Sequence, residues 1–305
     1  MNRRKFIRNT SSSLAGLSLY QWGNANPFFP QDKRKKIIIG AHVWVYAATL
    51  PDRNVSPILG QIFSDVAYAG FDGVETMEHP LRSDMYINQI KELIEQHKIK
   101  LIGTSYTGLG AIWNKEKHNE IYEDVDLIFT NLASVGGKTF GITVGQPSGR
   151  QKTPEEFDNQ AVILKKIISL GKKKGIVPNL HNHTVEVENN LFQLRETLKR
   201  VPEIKLGPDL NWLLRAGINP VEFLREFKKQ TVFLHLRDQL SNGKWPESMG
   251  EGDVDFKEIA DALREINFTG EAVIELAHER GFTPTRSIRE SLKMSRDFMK
   301  KTMGI

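Results

Sequence analysis

The sequence contains no cysteine. Disulfides, thiolate nucleophiles and cysteine-based zinc sites are therefore excluded, and any metal must be held by His, Asp or Glu. No run of 18 apolar residues occurs, so no membrane span is expected. Low-complexity tracts are missing too. At 39% hydrophobic and 26% charged, the 305-residue chain has the balance of a globular protein, which excludes disorder over most of its length. The body also lacks a positive excess. The whole chain has 42 Lys and Arg against 37 Asp and Glu, but from Ile37 onward the count is 34 against 36. A domain that tracks phosphates carries its basic charge in the body, so nucleic acid is not an expected partner.

The basic residues gather at the start, where Arg3, Arg4, Lys5 and Arg8 fall within ten residues. Arg3 and Arg4 are followed by Phe6, Ile7 and a mild Ser- and Leu-rich run from Ser11 to Tyr20. This resembles a twin-arginine export signal. It implies a periplasmic protein that folds before export, and no clear A-x-A cleavage site follows. Residues 1–35 are set apart as signal and linker, and residues 36–305 as one domain.

From Ile37 the chain repeats one theme: a short branched apolar run, a loop, and an amphipathic stretch. The apolar runs are Ile37–His42, Gly73–Thr76, Lys100–Ser105, Lys138–Val144, Ile176–His181, Ile204–Asp209, Thr231–Leu236 and Glu271–Leu276. They read as strands buried on both faces. Helical patterns lie between and after them: Pro57–Tyr68, Met85–His97, Ile121–Val135, Pro154–Lys174, Leu191–Lys199, Pro220–Phe227, Phe256–Ile266 and Thr285–Lys301. Thr153 followed by Pro154 is a strong helix start, and Gly175 a strong stop. Eight strands alternating with eight helices predict a (β/α)8 TIM barrel in a single domain. An open doubly wound sheet usually shows G-x-G-x-x-G after its first strand. Here that position reads GAHVWVYA, which favours the barrel.

Chemistry in such a barrel sits at the C-terminal strand ends. Those ends carry His42, Glu75, His181 with Asn182 and His183, Asp209, His235 with Arg237, and Glu275. A carboxylate buried there needs compensation. One divalent ion near His181, Asp209, His235 and Glu275 neutralises both carboxylates, and this donor set suits Mn, Zn, Co or Fe(II). Trp44 and Trp212 fall beside strand ends, where aromatic faces can stack on a sugar. Arg237 shares the face of His235 and could hold a substrate oxygen. Trp245 and Glu247 sit in a long loop, Asp238 to Asp253.

The segments VPNLHNHTVEVE, KLGPDLNWLLRAGINP, FLHLRDQ, AVIELAHE and FDGVETMEHP resemble the matching strands of the sugar phosphate isomerase/epimerase superfamily. That xylose isomerase-like group also includes inosose dehydratases, tagatose-type epimerases and endonuclease IV. The resemblance runs from Ile37 to near the end of the chain. It implies one metal ligand from each of the last four strands, which again falls on His181, Asp209, His235 and Glu275. His183 is the alternative ligand on the fifth strand. Many epimerases of the group have Glu at that strand and shuttle protons between two glutamates. This sequence has His181 there, so the two-glutamate shuttle does not carry over. Endonuclease IV needs more histidines and a basic surface.

The expected function is a metal-dependent isomerase or epimerase acting on a sugar, cyclitol or keto-sugar by proton abstraction next to a carbonyl. Glu275 is the expected base as well as a ligand, and Glu186 and His183 are the candidates for the second proton position that His181 cannot fill as a ligand. His42, Trp44, Glu75, Trp212 and Arg237 are expected to contact substrate. The alternatives are a lyase or dehydratase on a keto-sugar or inosose, a non-catalytic periplasmic sugar-binding barrel, and a phosphodiesterase like endonuclease IV. The expected partner is a small-molecule carbohydrate, with a homo-oligomer left open.

Overall fold

The computed structural model describes residues 37–305. The expected export signal lies outside the described residues. Among the described residues there are eight strands: β1 (Ile38–His42), β2 (Gly73–Met77), β3 (Lys100–Tyr106), β4 (Thr139–Ile142), β5 (Val177–Leu180), β6 (Lys205–Leu206), β7 (Phe233–Leu236) and β8 (Glu271–Ile274). The helices are α1 (Trp44–Ala47), α2 (Leu59–Ala69), α3 (Asp84–His97), α4 (His118–Ser134), α5 (Pro154–Lys174), α6 (Thr184–Arg200), α7 (Leu210–Arg215), α8 (Pro220–Glu226), α9 (Phe256–Glu265) and α10 (Ile288–Met303). The sheet runs β6-β5-β4-β3-β2-β1-β8-β7, and every pair is parallel. Bridges from Leu206 to Thr231 and from Asp209 to His235 close the ring between β6 and β7. No helix among the described residues is long and apolar enough to cross a membrane.

Local signals account for several boundaries. Thr153 and Glu156 form a reciprocal capping box at the start of α5, and Gly175 ends that helix at φ 72°. The sixth strand is shorter than the expected Ile204–Asp209. Pro208 has no N–H to donate, so the ladder stops at Leu206. The chain then turns, and Asp209 becomes the N-cap of α7, accepting from the N–H groups of Asn211 and Trp212. Neither α7 nor α1 is foreseen by periodicity, because each is too short to show it. In α6 the backbone leaves the helical region from Glu188 to Leu191, with φ of 53°, 58° and 63° at Asn189, Asn190 and Leu191. The regular part therefore starts near the expected Leu191.

The main core fills the layer between sheet and helices. A second apolar cluster of Ile102, Phe233 and Val273 forms a floor inside the barrel, with Ile38 and Val232 against it. The residues above that floor are polar, and there the site begins. Close strand approach depends on glycine at Gly103, where an added Cβ would lie 2.5 Å from the Thr139 carbonyl oxygen and 2.0 Å from its Oγ1. Backbone cannot yield as a flexible side-chain tip can. Gly103→Ala is expected to cost about 1–3 kcal/mol, the usual range for overpacking. Urea unfolding followed by circular dichroism checks this, and an unchanged midpoint would contradict it.

Candidate active site

The strand ends bring His181, Asp209, His235 and Glu275 together. Each offers one donor atom, and the four atoms all lie within 4.8 Å of one another. All four residues are buried. His235 Nδ1 is 2.6 Å from Glu275 Oε2. Arg237 binds the other oxygen of Glu275 through Nη2 and its main-chain carbonyl through Nε. The same Nη2 lies 3.6 Å from Asp209 Oδ2. Asp209 spends Oδ1 on capping α7, so Oδ2 remains without a hydrogen bond, as does His181 Nδ1.

These orphaned donors answer whether the residues suit a metal. Two imidazoles and two carboxylates converge, and buried donor atoms among them lack hydrogen bonds. Charge supports the same conclusion. Glu75, Asp209 and Glu275 are all buried, with Arg237 the one permanent cation paired into the group among the described residues. With the His235 imidazole neutral, as a metal ligand must be, three carboxylates against one guanidinium leave two negative charges, which a divalent ion balances. A divalent ion therefore fits, and His181, Asp209, His235 and Glu275 would hold it.

The protonation states follow from burial and these neighbours. Burial lowers His181 well below the ordinary imidazole value. Burial also acts on His235, but the carboxylates of Glu75 and Glu275 outweigh it and push it up to about 10. Burial raises Asp209, with Arg237 opposing. For Glu275, burial pulls upward, yet Arg237, His42 and His235 hold it well below the usual carboxylate range.

A pH prediction arises from His235 in the metal-free protein. Its folded value exceeds its unfolded value of 6.5, so its contribution is fully present below pH 6.5. That contribution is lost as pH rises toward 10. The melting temperature of the metal-free protein is expected to fall over this window. The metal-loaded protein escapes the loss, because a ligating imidazole is already neutral. Calorimetry of both forms at pH 6.5 and 9.5 tests it, and equal falls would contradict it.

A cleft of about 370 Å³ opens above the four donors. His42, Trp44, His183, Trp212 and Arg237, all expected from the sequence, line it together with three of the four donors, and Asp209 lies beneath. His42 is held on both sides. Its Nδ1 accepts the Trp44 N–H at 3.1 Å, and its Nε2 lies 2.9 Å from Ser105 Oγ. The ring therefore carries its proton on Nε2 and donates to Ser105, which leaves the serine hydroxyl hydrogen free for the cleft. His183 lies beside His181 and Trp212, at centroid distances of 5.1 and 5.3 Å. His183 is not among the four converging donors, so from the end of the fifth strand it is His181 that joins the donor group.

Two expected residues lie elsewhere. Glu186 does not line the cleft. Its two oxygens accept the N–H groups of Gly145 and His183, so it fixes the start of α6. Both bonds tie it to backbone, and it is the absence of Glu186 from the cleft wall that sets it apart from Glu275, whose oxygens are also engaged but which lines the cleft. Glu75 is wholly buried below the cleft, with Oε2 3.1 Å from His235 Nε2.

Other wall residues were not foreseen as substrate contacts. Trp245 lies on the loop after β7, its indole N–H donating to Asn211 Oδ1 at 2.9 Å. The Arg215 guanidinium lies over both Trp212 and Trp245, at 5.1 and 4.1 Å. His278 and Arg53 complete the rim. The loop is fixed by Asp238, which accepts from the N–H groups of Gly250 and Gly252, and by Glu247, which accepts from Thr285 and Arg286. Sequence shows that the loop is long, but not where its tryptophan lands.

The family described as "Xylose isomerase-like TIM barrel" matches residues 63–298. The chain belongs to this family. An inosose dehydratase of Clostridium botulinum (strain Alaska E43 / Type E3) is 23% identical over 262 residues, covering 74% of this chain and 84% of that protein. Among solved structures, a D-psicose 3-epimerase from Clostridium cellulolyticum H10 superposes with a TM-score of 0.71 at 15% identity, over 88% of this chain and 99% of the other. A 3-keto-D-glucoside 4-epimerase from E. coli gives 0.63 at 19% identity, over 86% and 100%. At these identities the structural likeness speaks to the barrel alone.

Proposed function

We propose that this barrel is an isomerase or epimerase acting on a sugar, cyclitol or keto-sugar, by removing a proton beside a carbonyl. The observation that carries this reading is the convergence of four metal-type donors beneath a cleft with tryptophan in its walls. A divalent ion of the Mn, Zn, Co or Fe(II) kind supplies Lewis-acid polarisation of the carbonyl when bound there. The chain's own residues do the rest. Trp212 and Trp44 offer flat apolar faces to C–H surfaces. Ser105 presents its hydroxyl to a substrate oxygen. Arg237 holds Glu275 in place, and Glu275 stands ionised beside the reacting carbon to take the proton. The cleft lies within the usual volume range of small-molecule sites and has room for a sugar.

The names of the similar proteins support carbohydrate chemistry of this type. They also favour a second reading, a dehydratase that loses a β-substituent after the same proton abstraction, because the curated relatives are inosose dehydratases. His181, in place of the second glutamate of a two-glutamate shuttle, supports that alternative. The experiment is incubation with Mn2+ and unphosphorylated ketoses, inososes and 3-keto-glycosides in D2O. Deuterium at the carbon beside the carbonyl supports isomerisation or epimerisation, and loss of a leaving group supports the dehydratase. A substrate that turns over with its C–H hydrogen fully retained, with no internal transfer, contradicts both.

We propose further that the protein is exported by the twin-arginine route, on the strength of Arg3, Arg4, Phe6 and Ile7 followed by the mild apolar run. Replacing Arg3 and Arg4 with Lys is expected to leave the protein in the cytoplasm. Cell fractionation checks it, and unchanged periplasmic recovery would refute it.

A further inference from the structure

Glu75 is a carboxylate with no exposure at all, inside the barrel on β2. Neither of its oxygens has a hydrogen bond of good geometry. Its one ion pair among the described residues is with His235, where Oε2 stands 3.1 Å from Nε2. A wholly buried ionised carboxylate costs several kcal/mol unless something compensates it. It lies too deep to line the cleft, so substrate contact does not account for it. It also stands outside the set of four donors that lie within 4.8 Å of one another. The opposite nitrogen of His235, Nδ1, points at Glu275 Oε2. The imidazole thus lies between two carboxylates, one in the donor set and one beneath it. The Phe233 ring below, at a centroid distance of 5.4 Å, supports its edge.

We infer that Glu75 is a positioning residue for the metal centre: it holds the Nε2–H of His235, so that Nδ1 presents its lone pair to a divalent cation. This inference rests on the metal-site reading above. Imidazole ligands commonly donate their other N–H to a carboxylate, which fixes the tautomer, orients the ring and raises its basicity. Glu75 is the acceptor in the right place. A neutral acceptor still takes the hydrogen bond but supplies no charge, and an apolar residue does neither.

Three proteins are compared: the wild type, Glu75→Gln and Glu75→Leu. Zinc affinity is measured by competition with a chromophoric chelator, and folding by circular dichroism. Zinc binding is expected to weaken about 10–100-fold in Glu75→Gln, and further in Glu75→Leu. A second measurement needs no variant. In zinc-loaded wild type labelled with 15N-histidine, His235 is expected to show a protonated Nε2 and a metal-bound Nδ1. Unchanged affinity in both folded variants overturns the inference, as does a His235 bound through Nε2. Should the variants fail to fold, the tautomer in the wild type decides alone. A wild type that binds no zinc overturns the metal-site reading together with this one, whereas equal binding by all three overturns this one only.

Discussion

Glu275→Gln is expected to lower turnover by about 10³-fold, within the range lost when a positioned acid–base group is removed. The amide keeps the shape of the carboxylate but cannot take a proton at neutral pH. The geometry makes a sharp demand on Glu275. Arg237 grips one oxygen and His235 the other, and together with His42 they hold the carboxyl well below its usual range. It is thus ionised throughout the working pH range, but a weak base. A weak base suffices only if the substrate C–H is made unusually acidic, which is what polarisation of the adjacent carbonyl provides. The two requirements are coupled, so neither the carboxylate nor the cation is expected to work alone. Deuterium exchange at saturating Mn2+, with metal content measured on the same samples, separates loss of base from loss of metal. A variant that keeps its metal and exchanges at the wild-type rate would move the base to another group of the cleft, His183 being the other expected acid–base residue that lines it.

The four donors were legible because each follows a short apolar run on a strand whose place in the barrel is set by order alone. A polar residue at such an end has one rim to face. Depth was less legible. Pairing places His42 opposite Glu75, but only the assembled barrel shows that the Glu75 side chain turns beneath His235. Glu186 looked like an acid near the site because it follows His183 by three residues. That same spacing makes it a capping partner, and the backbone N–H groups claimed both its oxygens. Asp209 shows the opposite case. The Gly-Pro pair before it ends the strand early, which lets one oxygen cap α7 and leaves the other facing the site. The Trp245 wall was beyond sequence reasoning, because its loop is set by bonds from Asp238 to residues 12 and 14 positions away.

Asp209→Asn and Asp209→Ala are expected to bring metal content from about one ion per chain to less than about a tenth. Two effects must be kept apart, since Asp209 is both a donor and the N-cap of α7. Loss of a cap to alanine costs about 1 kcal/mol, whereas asparagine caps about as well as aspartate. The Asn variant should therefore melt close to the metal-free wild type, and the Ala variant lower. Neither can supply a negative charge. With Asp209 neutral, Glu75 and Glu275 face Arg237 alone, and a divalent ion would leave the buried group one positive charge in excess. An uncompensated charge in a site this dry is expensive, so binding should fall steeply for both variants alike. Removing the carboxylate also leaves Arg237 paired with Glu275 only. Atomic absorption on purified protein, beside melting curves with and without Mn2+, gives both readings. Equal metal loss in the two variants with unequal melting assigns Asp209 as a ligand as well as a cap. Metal retained by the Asn variant and lost by the Ala variant would mean that Asp209 serves the centre only by shaping α7.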